Sequence, residues 1–172
     1  MADRNPSTPP EIVVALGSNL KGGYDSVEVL LEAASYRLAA YGLPVVQRSS
    51  LWRSAAWPDA SEPPYLNAVA LVETLLRPAR ALRQLHAMER EFGRVRGRPN
   101  APRTLDLDLV AYGGLVSDAA SAVLPHPRAH ERRFVMGPLA EVAPEWRHPI
   151  LGASALELAE RAPIGRDASP LT

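Results

Sequence analysis

An α+β fold with a mainly antiparallel sheet is predicted by three features of this 172-residue chain. Some stretches alternate apolar and polar residues with period two, while others repeat their apolar residues every three or four positions. The two kinds follow one another in the order strand, helix, strand, strand, helix, strand. Glycine and proline mark most of the junctions. That order is the split βαβ pattern of a ferredoxin-like βαββαβ core, with both helices on one face of the sheet. The length suits a single domain, expected over 11–162, whose C-terminal extension adds a short strand and helices.

Residues 1–10 are polar and proline-rich, read as a disordered lead, and lack the apolar core of a signal peptide. Ile12 to Leu16 is a continuous apolar run of strand length, stopped by Gly17-Ser18-Asn19, and predicts a buried central strand. Val27, Leu30, Leu31, Ala34, Leu38 and Tyr41 recur at helical spacing, with Asp25 the expected N-cap and Gly42 just past the end. Residues 45–53 return as a strand rich in branched and aromatic side chains. A loop over 54–64 follows, with Pro58, Pro63, Pro64 and an exposed Trp57. In the strand over 65–74, Leu66, Ala68, Ala70 and Val72 face one way, Tyr65, Asn67, Val69 and Leu71 the other. Pro78 suits the first turn of a second helix, whose inner stripe runs through Leu82, Leu85, Met88 or Glu89, and Phe92 to a closing Gly93. Residues 104–112 alternate again: Leu105, Leu107, Leu109 and Ala111 on one face, Asp106, Asp108 and Tyr112 on the other. In the extension, 115–117 reads as a short strand and Leu124-Pro125-His126-Pro127 as irregular. A part-helix within 128–143 should be shortened or broken by Pro138, a last helix covers 154–162, and 163–172 reads as a flexible tail.

Nineteen basic and nineteen acidic residues cancel, so no global field favours nucleic acid or a membrane surface. With no cysteine there is no disulfide and no thiolate chemistry. No apolar run approaches the roughly 20 residues of a membrane span. The expectation is a cytoplasmic monomer acting on small molecules.

Chemistry concentrates between Glu89 and Asp108. Alternate residues on a strand lie about 6.5 to 7 Å apart, so Asp106 and Asp108 can share one hard cation or hold two close together. Upstream, Arg94, Arg96, Arg98 and Arg103 sit in a loop punctuated by Gly93, Gly97, Pro99 and Pro102. Forked guanidiniums there suit a polyphosphate, and with the carboxylates they suggest a magnesium-nucleotide site. The plainer alternative is an edge strand with solvated aspartates beside a charged loop. Glu89 and Glu91 sit in the last helical turn, where the macrodipole disfavours anions; Glu89 is a candidate acceptor for ligand hydroxyls. Asn67 could read the edge of a flat heterocycle on which Tyr65 stacks. His126 is held between prolines, and Arg132, Arg133 and Phe134 could close over the same place. A rival reading, a nucleic-acid module using sheet-face aromatics and arginines, is disfavoured because the paired aspartates repel phosphate unless metal is present.

Five blocks in order, Ala15-Leu16-Gly17-Ser18-Asn19-Leu20, Tyr65-Leu66-Asn67-Ala68, Glu89 with Gly93-Arg94-Val95-Arg96, Pro102-Arg103-Thr104-Leu105-Asp106-Leu107-Asp108-Leu109, and Leu124-Pro125-His126-Pro127, resemble the 6-hydroxymethyl-7,8-dihydropterin pyrophosphokinases. The resemblance covers residues 12 to about 149. It implies transfer of pyrophosphate from ATP to the hydroxymethyl group of the pterin, giving AMP and the pterin diphosphate, in folate biosynthesis. It also implies two magnesium ions on Asp106 and Asp108, with Arg94 and Arg103 assisting catalysis. Tyr65, Asn67 and Phe134 would form the pterin slot, helped by backbone of the loop carrying Ser54, Ala55 and Trp57. Glu89, Arg96, Arg103, Leu109, His126 and Arg132 would hold the nucleotide, with the arginine loop closing over it. Ser54-Ala55 stands where that family has threonine-proline, the arginine loop is shorter and has Asn100 near a missing tryptophan, Ser121 and Val123 replace an arginine and a threonine, and Pro127 replaces a tyrosine. The family also occurs fused to neighbouring folate enzymes, for which 172 residues leave no room.

Overall fold

The computed structural model describes residues 12–95 and 102–172. The expected disordered lead over 1–10 therefore lies outside the described residues, as do Arg96, Arg98 and Asn100. Strands β1 (Ile12–Ser18), β2 (Val45–Arg48), β3 (Trp52–Ser54), β4 (Tyr65–Val72), β5 (Asp106–Tyr112) and β6 (Ser169–Pro170) form one sheet in the order β5-β1-β4-β3-β6, with β2 also on β4. Every pairing is antiparallel. Helices α1 (Val27–Arg37) and α2 (Pro78–Glu91) lie between the strands in sequence, and α3 (Arg133–Val142) and α4 (Ala155–Arg161) follow β5. This is the ferredoxin-like order.

The continuous apolar run of β1 has its cause in two cores. Ile12, Val14 and Leu16 pack with Leu30, Leu31, Leu85 and Met88 under α1 and α2. Val13 and Ala15 pack with Val135, Met136 and Leu139 of α3 and with Leu158 and Ala159 of α4. Both faces of the strand are covered, so neither face is polar. Within β4, Leu66, Ala70 and Val72 join the first core and Val69 the second, as the alternation predicts.

The structure corrects several local expectations. The N-cap of α1 is Ser26, whose hydroxyl accepts the Val29 N–H at 3.2 Å, and not Asp25. The single strand expected over 45–53 divides into β2 and β3 around Ser49, whose hydroxyl and N–H bond the Val69 backbone. In β5 a bulge at Val110 puts Val13 opposite Ala111 but Val14 opposite Leu109. The phase therefore flips: Val110 and Ala111 join the second core, and Tyr112 returns to the first. No strand forms over 115–117, only a single bridge from Ser117 to Leu124. Helix α3 runs unbroken through Pro138. The residue before a proline is normally kept out of helix by its own Cβ, and here that residue is Gly137. Nor is 163–172 loose, because Ser169 and Pro170 pair with Arg53 and Trp52.

Candidate active site

The sheet places the site by register. Gly17 of β1 lies opposite Asp106 on one side and Asn67 on the other, and Asn67 in turn lies opposite Trp52; Ala15 lies opposite Asp108. Small residues at 15 and 17 leave space over the sheet between the carboxylates and Asn67. A side chain grown at Gly17 would start 3.5 Å from Asn67 Oδ1 and 3.9 Å from the Tyr65 ring.

Two clefts meet at the aspartates. The first is lined by Ser54, Ala55, Trp57, Tyr65, Asn67 and Phe134, with Arg103, Asp106, Arg128 and Arg132 along its charged side. Asn67 is only 5% exposed. Its Nδ2 donates to Ser54 Oγ at 3.0 Å and to the Trp52 carbonyl at 3.4 Å, leaving Oδ1 on the Gly17 side as an acceptor. The residue thus presents its amide oxygen to the cleft. Two guanidiniums stack on aromatic rims of this cleft, Arg128 over Trp57 at 5.5 Å and Arg132 over Phe134 at 5.9 Å. Burial pushes the Tyr65 hydroxyl pKa up, so the ring stays neutral.

The second cleft is mostly apolar, lined by Leu82, Leu109, Ala122, Val123 and Leu124, with Asp108 and His126 at its edge and Pro127 beside them. The bulge helps build it: the His126 N–H donates to the Val110 carbonyl at 2.8 Å. His126 Nδ1 accepts the Arg128 N–H, which leaves Nε2 toward Asp108, 3.8 Å away. Burial lowers the His126 pKa despite that neighbour, while burial and the charge on Asp106 raise that of Asp108.

Between the clefts stands an acid and arginine array. Arg94 Nη1 reaches Asp106 Oδ1 at 2.6 Å and Arg103 Nη1 reaches Oδ2 at 2.7 Å, so both oxygens of Asp106 are held. Glu89 also grips Arg94 and accepts the Leu107 N–H at 2.8 Å. Burial pushes the Glu89 pKa up, with the Leu107 N–H and Arg94 opposing it. Its place is therefore behind Arg94, as a bracket between α2 and β5. Glu91 turns away, toward Arg37 and Tyr41. Arg132 Nη1 lies 3.9 Å from Asp108 Oδ2, and its buried Nε has no hydrogen-bond partner among the described residues. Arg133 does not face the cleft; its guanidinium bonds the carbonyls of Ala159 and Ala168.

Asn19 escaped the sequence reading. Its Oδ1 accepts the Arg103 N–H at 2.8 Å and its Nδ2 donates to the Pro63 carbonyl at 2.9 Å, tying the end of the arginine loop to the loop over 54–64. The Gly-Ser-Asn block ending β1 was the only signal, and it does not say which loops meet there. Arg128 was missed for the same reason.

Among the described residues no cluster of three or more His, Asp or Glu is placed to hold a metal unaided. That suits magnesium, which binds one or two carboxylates and takes its remaining ligands from water and substrate phosphates. Asp106 and Asp108, with an unpartnered guanidinium N–H of Arg132 alongside, fit that division.

The family model described as 7,8-dihydro-6-hydroxymethylpterin-pyrophosphokinase matches residues 13–144. The chain is 38% identical over 159 residues to the 2-amino-4-hydroxy-6-hydroxymethyldihydropteridine pyrophosphokinase of Pseudomonas aeruginosa, covering 88% of this chain and 96% of that one. It is 38% identical over 149 residues to the Synechocystis protein of the same name, covering 87% and 74%. It is 33% identical over 160 residues to the folic acid synthesis protein fol1 of Pneumocystis carinii, covering 93% of this chain but only 21% of that protein. A Plasmodium falciparum HPPK-DHPS triple mutant with pteroate superposes with a TM-score of 0.69 at 11% identity, over 95% of this chain and 47% of that chain, which shows the fold.

Proposed function

Since the chain belongs to the 7,8-dihydro-6-hydroxymethylpterin-pyrophosphokinase family, we propose that the two clefts are the pterin and ATP halves of one pyrophosphoryl-transfer site. The activity is that of an ATP-dependent pyrophosphokinase of folate biosynthesis. The observation that carries the assignment is that both clefts open onto one strand segment, Asp106 lining the first and Asp108 the second.

In the first cleft the pterin lies between the rings of Tyr65 and Phe134, with its edge donating to Asn67 Oδ1 and its hydroxymethyl group toward Asp106. In the second, the adenine side of ATP rests on Leu82, Leu109 and Leu124, with His126 and Arg132 on the phosphates. Asp106 and Asp108 would hold two magnesium ions, which would supply positive charge to the triphosphate. Arg94 and Arg103, which hold the Asp106 carboxylate here, would turn their guanidiniums to the triphosphate once that carboxylate served the metal. The pterin hydroxyl oxygen attacks the β-phosphorus in line. The bond from that phosphorus to the oxygen it shares with the α-phosphorus breaks, AMP leaves, and the hydroxyl proton passes to water. No side chain forms a covalent intermediate. The chain's contribution is alignment and fixed positive charge.

The test incubates the protein with ATP, magnesium and 6-hydroxymethyl-7,8-dihydropterin and separates the nucleotides. AMP that appears only with the pterin is the expected result. Pterin-dependent ADP would mean transfer of a single phosphate, and no pterin-dependent product would overturn the reading.

A further inference from the structure

We infer that the C-terminal segment 163–170 braces the pterin cleft through Ala55 and Phe134, two of the residues that line it, with Asp167 and Gly165 as positioning residues for the substrate half of the reaction. This rests on the pterin reading of that cleft given above. Strand β6 pairs Ser169 with Arg53, and extending that antiparallel register by two residues brings Asp167 opposite Ala55. There the side chain takes over from the ladder: Asp167 Oδ2 accepts the Ala55 N–H at 2.6 Å. A trans peptide points its carbonyl opposite to its N–H. Holding the Ala55 N–H therefore turns the Ser54 carbonyl to the β4 side, where Tyr65 and Asn67 line the cleft.

Gly165 sets the opposite side. Its φ of +69° suits glycine, and a Cβ there would lie 2.5 Å from Phe134 Cδ1, so the absent side chain is the seat of that ring. The segment is fastened between these two points. The Arg133 N–H donates to the Ile164 carbonyl at 2.8 Å and the Ile164 N–H to the Glu131 carbonyl at 3.0 Å. Arg133 Nε donates to the Ala168 carbonyl at 3.3 Å. One segment thus sets both the loop after β3 and the ring that begins α3, and none of these contacts involves Asp106, Asp108, Arg94 or Arg103.

The test uses the full chain with Asp167→Ala, Asp167→Asn and Gly165→Ala, following steady-state rates with each substrate varied and direct binding of pterin and of ATP with magnesium. Loss of one hydrogen bond to a charged acceptor corresponds to about tenfold in affinity. Asp167→Ala is expected to raise the pterin KM and Kd about tenfold, with kcat and the ATP KM within about twofold. Asp167→Asn, whose amide oxygen still accepts, should restore most of that, and Gly165→Ala should also weaken pterin selectively. Asp167 is exposed, so its variants report on the cleft rather than on folding. An unchanged pterin KM in Asp167→Ala, or equal loss for pterin and ATP, overturns the inference. Wild-type protein that fails to bind the pterin overturns the reading of the cleft itself, and the two failures are thereby distinguished.

Discussion

At the residue scale, the carboxylates of β5 carry the sharpest expectation. Burial and the charge on Asp106 raise the Asp108 pKa, so its charge is costly in the free protein. Asp108→Ala should lower kcat by at least about a hundredfold while leaving the thermal midpoint unchanged or higher; turnover near wild type would remove Asp108 from the metal site. Asn67→Ala should weaken pterin binding about tenfold or more and ATP binding by less than about twofold, because Oδ1 faces only the first cleft. Equal losses in the two titrations would place Asn67 outside the pterin slot. The aspartates were legible because alternation on a strand decides which side chains share a face. Gly17 and Asn19 were not, since one acts by leaving space beside Asn67 and the other by joining two loops distant in sequence.

At the scale of elements, periodicity located the helices and strands of the core but did not show what each packs against. The bulge at Val110 illustrates the limit: one extra residue reverses the facing of Ala111 and Tyr112, and no composition signal marks it. Pro138 illustrates another, since its usual breaking effect is relieved by the glycine before it. That glycine has a second duty. A Cβ at Gly137 would lie 2.5 Å from Cζ3 of Trp52, so the missing side chain lets α3 approach β3 closely there. On the same helix, Glu141 accepts from the Trp52 indole N–H and from Ser50. Gly137→Ala should therefore destabilise by about 1–3 kcal/mol, through overpacking against Trp52 and through the clash of the new Cβ with the Pro138 ring. Denaturant melts measure this, and a neutral or stabilising result would mean that the contact relaxes easily. Because Phe134 lies in the first turn of α3, the same variant should raise the pterin KM more than the ATP KM.

At the scale of the whole molecule, the sheet is covered on both faces, and the second layer holds a pH-sensitive joint. His148 is 5% exposed, its Nδ1 accepts the N–H groups of Ile150 and Leu151, and its ring meets His130 edge-on at 5.2 Å and Trp146 at 6.0 Å. Burial lowers the His148 pKa, and the neighbouring His130 lowers it further. Above the unfolded value of about 6.5, folded and unfolded chains both hold the ring neutral, so it adds no pH dependence. Below that value the unfolded chain takes up the proton first, and stability falls as pH drops toward the folded pKa. His126, lowered by burial too, acts with the same sign, so the wild-type slope has more than one source. His148→Asn separates them, because the asparagine oxygen can accept the same two N–H groups without titrating. Between pH 7 and pH 5 the wild-type thermal midpoint should fall by about 3 °C or more, and that of His148→Asn by distinctly less. Parallel curves for the two proteins would show that the joint between His148 and His130 does not set the acid sensitivity of this fold.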